Sequence, residues 1–173
     1  MQIEQLFNDK SLKPKERTEQ LSKLVLEHVV SVEELMKFAG KAKPPVKATC
    51  IESLEFATRT NPGIVTRDAL DFVLNSLSDK APRVKWESAK VTGNCIHLFP
   101  GKIDDAVKKL LDNTEDEGTV VRWSAAFALS QVLKMKTKIN DQLIPAVEAI
   151  IEREEKNSIK KIYLDALKKI RAK

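Results

Sequence analysis

Cysteine and histidine are scarce in this chain, with two of each: Cys50, Cys95, His28 and His97. The cysteines form no CxxC pair and the histidines stand far from both, so no ligand set has metal-site spacing and no metal is expected. Both cysteines fall in apolar-periodic segments and read as small buried core residues. His97 falls near the end of a helical segment, where it reads as a charge complement to the negative helix terminus or as a capped core residue, and His28 has the same kind of position and reading. The chain also lacks G-x(4)-GK[ST], GxSxG and HExxH motifs. With them go the standard ways of cradling phosphate, activating serine or holding a catalytic zinc. No catalytic residue and no cofactor is expected. No apolar run approaches the roughly 18 residues of a membrane span. The opening "MQIEQLFNDK" is acidic and amphipathic, without the basic-then-apolar form of a secretory leader, so the expected compartment is the cytoplasm. No run alternates apolar and polar residues with a β-branched bias, so no sheet is expected.

What the chain does contain is a soluble globular balance over 173 residues, 42% apolar and 32% charged, enough for one domain with a sizeable core. Its net charge is +5, which permits an acidic partner without requiring one. Part of the excess lies in the C-terminal "KNSIKKIYLDALKKIRAK", where Lys and Arg suit the negative end of a helix.

An apolar–basic pair recurs along the chain. Val46-Lys47, Val84-Lys85, Val121-Arg122 and Ile159-Lys160 are spaced by 38, 37 and 38 residues, a period characteristic of a solenoid. Prolines or turn residues precede each pair, and Asp79, Asp116 and Glu154 stand six residues before the basic member of the last three. Lys41 breaks that pattern. After Val121 the apolar residues Ala125, Ala128, Leu129 and Val132 mark one face of a helix, and the other units repeat the register. A second helical segment precedes each pair. Ser31 with Glu34 reads as a capping box before Leu35 and Phe38. The breaks "NPG" and "FPG" separate units. One repeat domain over 1–173 is expected, with units near 31–62, 63–100, 101–138 and 139–173 and a degenerate N-terminal cap over 1–30.

This pattern, D-x(4)-V-[KR] followed by a small-residue helix in "DKAPRVKWESAKVTG" and "DEGTVVRWSAAFALS", resembles the HEAT repeat, including its PBS-lyase-like subgroup. Pro145 in "LIPAVEAII" is similar to the proline that HEAT first helices often carry. The resemblance covers about residues 31–173 and implies an all-α, right-handed α–α superhelix of four to five helical hairpins, an armadillo-type solenoid. It also implies a structural ladder in which Asp79, Asp116 and Glu154 bond Lys47, Lys85, Arg122 and Lys160 of neighbouring units, fixing the angle between repeats.

Two tryptophans keep the repeat register, Trp86 and Trp123. At about 100° per residue the core positions of the second helix centre near 35° and the tryptophans near 200°, almost opposite. Four residues on lie Lys90 and Phe127, on the same stripe. In a HEAT-like array this stripe lines the concave surface, which would set the tryptophans side by side, about 8–10 Å apart. The tryptophans then either form a binding surface or, in a short and tight superhelix, pack against each other or against neighbouring helices. On the first reading the expected function is a non-catalytic scaffold or adaptor whose concave face binds a protein or peptide through Trp86, Trp123, Phe127, Lys90, Arg122 and Lys85. The alternative is nucleic-acid binding, with cations on phosphates and aromatics on bases. Alkylpurine DNA glycosylases are similar in architecture. However, the residue four after each tryptophan is not the aspartate that they use. A lyase activity on tetrapyrroles, which some HEAT-like proteins have, is allowed by the resemblance but has no residues to carry it.

Overall fold

Proline lacks an N–H and has a fixed φ, so it is tolerated at the first turn of a helix and disfavoured further in. Pro14, Pro44 and Pro82 each open one. The structure, a computed structural model describing residues 2–172, contains ten α-helices and no strand among the described residues. They are α1 (Gln2–Asn8), α2 (Pro14–Leu26), α3 (Val32–Lys41), α4 (Pro44–Thr60), α5 (Arg67–Ser76), α6 (Pro82–Cys95), α7 (Ile103–Asn113), α8 (Thr119–Lys134), α9 (Asn140–Arg153) and α10 (Asn157–Arg171). Short 3-10 turns at 62–64, 96–98 and 100–102 fall at the "NPG" and "FPG" breaks.

The helices are used in two ways. The even-numbered helices α2, α4, α6, α8 and α10 pack in succession against one another as one layer. The odd-numbered helices cover the other side, α3 on α4, α5 on α6, α7 on α8 and α9 on α10. This is an all-α solenoid of the armadillo and HEAT-like type.

Local signals set the helix limits. Ser31 Oγ accepts the Glu34 N–H at 3.1 Å while the Glu34 carboxylate accepts the Ser31 N–H at 2.9 Å, a reciprocal cap on α3. Thr66 caps α5 through the Ala69 N–H. His28 and Lys136 follow α2 and α8 in the left-handed region, with φ of 58° and 54°, and so turn the chain out of each helix.

The layer of even helices is built from small residues. Cys50, Ala57, Ala89, Ala125, Ala126 and Ala128 are all fully buried in it. Several of its hydroxyls are kept within their own helix, as Ser53 and Thr92 donate to the Thr49 and Ser88 carbonyls at 2.8 Å, whereas Ser88 Oγ and the Tyr163 hydroxyl are buried without a hydrogen-bond partner among the described residues. Gly93 marks the tightest point. A Cβ at this position would lie 2.6 Å from Phe127 Cε1 and 3.1 Å from Ala128 Cα on the next helix. The glycine is therefore a spacing device, and its cost in helix propensity is offset by the packing it allows.

Gly93→Ala tests this. The substitution gains about 1 kcal/mol of helix propensity, but overpacking of about 1–3 kcal/mol opposes it. A net loss of about 1 kcal/mol is expected in urea denaturation. Phe127→Leu in the same chain should recover part of it.

Candidate functional site

Two groups of polar side chains lie on the even helices, one at their N-terminal ends and one further along. At the N-terminal ends each unit is clamped to the next. Lys47 Nζ donates to Asp79 Oδ2 at 2.8 Å and Lys85 Nζ to Asp116 Oδ2 at 2.8 Å. Arg122 reaches both Glu154 oxygens, at 3.0 and 3.3 Å. The carboxylates also accept a backbone N–H two residues on, from Ala81, Gly118 and Lys156. Partial burial works to raise the pKa of all three acids. The cation and backbone hydrogen bonds overcome it and hold Asp79, Asp116 and Glu154 below the usual carboxylate range. Lys160 occupies the equivalent place on α10 and has no ion-pair partner among the described residues. Lys85 and Arg122, expected from the sequence to face a partner as well, have their charges engaged in these clamps.

Further along, α4, α6 and α8 together form a recess of about 350 Å³ lined by Glu55, Arg59, Lys90, Asn94, Trp123 and Phe127. Trp123 is 39% exposed and stacks on Phe127, with ring centroids 6.2 Å apart and planes 8° from parallel. This is the i,i+4 pair that the repeat register sets on one helical stripe. Trp86 is half-buried and turns its indole N–H to Glu87 Oε1 at 2.9 Å. It neither lines the recess nor makes a ring contact with Trp123.

The acids of this region lie underneath and the cations outside. Arg59 grips Glu55 with two hydrogen bonds of 2.6 Å and lies over the Phe56 ring. The Glu55 side chain is 4% exposed and that of Arg59 56%. Glu87 is likewise buried, and Lys90 Nζ lies 3.0 Å from its Oε2. No other group reaches Oε2 among the described residues, so Lys90 is its counter-charge. Burial pushes the Glu87 carboxyl up, against the opposing pull of Lys90 and of the Trp86 N–H. Arg83 is spent on Glu52 at 2.7 Å. Asn94 donates to Thr58 Oγ and to the Glu55 carbonyl, leaving its own amide oxygen as an acceptor. What the recess presents is two stacked rings flanked by unspent N–H groups of Arg59 and Lys90.

Of the residues expected at a partner face, Trp123, Phe127 and Lys90 come together. Sequence reasoning missed Glu55, Arg59, Asn94 and Glu87. The first two carry an i,i+4 acid–base signal. Glu87 and Asn94 carry none, since they fall at the edge of the helical stripe where polar residues are ordinary. Cys50 and Cys95 are buried and their thiols are pushed up to about 12 by desolvation, which keeps them protonated and inert. Among the described residues no cluster of three or more His, Cys, Asp or Glu could hold a metal, and no helix is long and apolar enough to cross a membrane.

No protein-family model matches the chain, and no curated protein matches it in sequence. Solved structures do resemble it. An engineered protein from the Northeast Structural Genomics Consortium superposes with a TM-score of 0.73 at 18% identity, over 98% of this chain and 79% of that one. A designed armadillo repeat protein in complex with the peptide (KR)4 gives a TM-score of 0.68 at 16% identity, over 97% and 80%. The complex of CpcE and CpcF of phycocyanin lyase from Nostoc sp. gives 0.55 at 18% identity, over 79% and 97%. These likenesses establish the fold, a helical-repeat solenoid.

The clamps generate a pH prediction. Asp116→Asn keeps an acceptor for the Gly118 N–H and removes only the charge. At pH 7 it should cost about 0.5–1.5 kcal/mol. A carboxylate with a lowered folded pKa contributes stability that is present above its unfolded value, near 4, and lost as pH falls through the folded value. The gap between wild type and D116N should therefore close below about pH 4 in denaturant titrations at stepped pH. A gap that is constant with pH would mean that the charge is not what stabilises the clamp.

Proposed function

We propose that this chain is a non-catalytic scaffold that holds a protein or peptide partner along the layer of even helices, with the recess of Trp123, Phe127, Lys90 and Arg59 as its anchor point. The observation that carries this reading is the stacked Trp123–Phe127 pair, left part-exposed. A large rigid aromatic surface with hydrogen-bond donors at its margin is the composition of an interface hot spot. The designed armadillo protein in complex with (KR)4 and the CpcE–CpcF complex lend support, because solenoids of this shape take protein partners. The charges here favour a different peptide from (KR)4. The carboxylates are buried and neutralised, and the Arg59 guanidinium stands outward while Lys90 lines the recess. A segment pairing an apolar side chain with an acidic one fits the recess best.

Two observations weigh against the other readings. A surface that tracks phosphates needs free cations in a row, and the row on the even helices is spent on Asp79, Asp116 and Glu154. Glu87 is the carboxylate whose pKa is pushed upward, as a general acid would need. However, it lies beneath Trp86 and outside the recess lining.

Peptides selected from a display library against the immobilised chain provide the test. Binders should carry acidic and apolar residues together. The Trp123→Ala, Phe127→Ala double variant should weaken them at least about 10-fold, roughly 1.4 kcal/mol, at unchanged helical circular dichroism. In a Trp86→Phe background the remaining indole reports the recess alone, and its emission should shift blue on binding. Selected peptides that bind the double variant as tightly as wild type would remove the recess from the function.

A further inference from the structure

The clamps between units leave a half-clamp at each end of the array. Asp79, Asp116 and Glu154 have one oxygen on a backbone N–H two residues on, at 2.9, 2.8 and 3.0 Å, and face a cation of the preceding unit. Asp9, in the turn before α2, repeats the first half of this arrangement. Its Oδ1 accepts the Ser11 N–H at 2.9 Å and the Ser11 hydroxyl at 2.6 Å. The turn is longer, since α2 begins five residues after Asp9 and the other helices three after their acids. No ion pair reaches the Asp9 carboxylate among the described residues. The nearby Arg17 spends its guanidinium on the Leu6, Asp9 and Leu12 carbonyls. Asp9 stands at the rim of a groove of about 390 Å³ whose walls include Leu6, Leu24 and Gln20.

The opposite end carries the other half. Lys160 on α10 takes the place of Lys47, Lys85 and Arg122 but meets no acid. Four residues after each of these cations comes an apolar residue. In the interior units these are Ile51, Ala89 and Ala126, each 0% exposed. On α10 it is Leu164, which is 50% exposed. In each interior unit the next even helix packs alongside; at α10 none does. Leu164 thus leaves an apolar patch on α10 beside the unpaired Lys160.

We propose that the outer face of α10 docks on the α1–α2 end of a second copy of this chain, head to tail, with Lys160 closing on Asp9 and Leu164 entering the groove beside Leu6 and Leu24. Charge selects this pairing over the symmetric one. Two α10 faces would set Lys160, Lys161 and Lys168 against their like with Asp165 as the one acid among them, whereas in the α1–α2 groove Lys23 and Glu27 pair with each other and Asp9 is left as the acid without a cation. The contact is heterologous, so each added copy exposes a fresh α10 face, and assemblies grow with concentration. It uses neither Trp123 nor Phe127 and is independent of the reading of the recess.

Sedimentation equilibrium on the purified chain tests the proposal, from about 10 μM to about 1 mM, at low and high salt. The weight-average mass should rise above the 19.5 kDa of one chain as concentration increases, and fall back as salt is added. Asp9→Lys disables the α2 end and Leu164→Lys disables the α10 end, so each variant alone should stay monomeric. An equimolar mixture of the two has one competent pair of ends and should give a dimer that grows no further. Wild type that stays monomeric up to about 1 mM would overturn the proposal, as would self-association that neither variant changes. A mixture no larger than its parts would overturn the head-to-tail geometry.

Discussion

A carboxylate has two oxygens, and in this solenoid they bond in two directions. One oxygen holds the backbone that starts a helix and the other holds a cation from the helix before it, although at Glu154 the cation, Arg122, reaches both oxygens. The turn that begins each unit is thereby tied to the unit behind it. The arrangement recurs at Asp79, Asp116 and Glu154. Because each clamp sits at the start of an even helix, at α6, α8 and α10 it sets where the helix starts and how it stands against its neighbour. The close packing of Ala125, Ala128 and Gly93 further along depends on that registration, since small residues leave no slack for a helix that begins half a turn out of place.

The fold was highly legible in the sequence, for reasons that lie in the clamps. A repeat of 37–38 residues survives because the unit must present the same cation and the same acid at the same height each time. The residues that make the clamp are therefore also the residues that reveal the period. The acid of the second unit is replaced by Lys41, and the clamp is missing there. Helix starts were legible where a proline or a capping side chain sets them, as at Pro44, Pro82 and Ser31.

The candidate site was only half legible. Trp123, Phe127 and Lys90 follow from angular position on a helix, which needs no knowledge of neighbours. Arg59, Asn94 and Glu55 join the recess because α4 and α6 lie beside α8, and a one-dimensional register cannot say which turn of one helix meets which turn of the next. Trp86 shows the same limit. Its angle matches that of Trp123, yet the buried Glu87 draws its N–H aside, an effect that depends on a carboxylate whose burial only the assembled layer creates.

The clamps gather at one end of the even helices, while at the other end the units are joined by weaker ties such as the Asn94 amide on Thr58 and the Glu55 carbonyl. The looser polar ties do not make that margin a hinge, because Gly93 beside Asn94 leaves only the room that Phe127 and Ala128 fill. One wall of the recess is wedged by this contact and the other is held by the paired hydrogen bonds of Arg59 on Glu55. A bound segment therefore meets a span that is already set, and little ordering of the wall has to accompany its arrival.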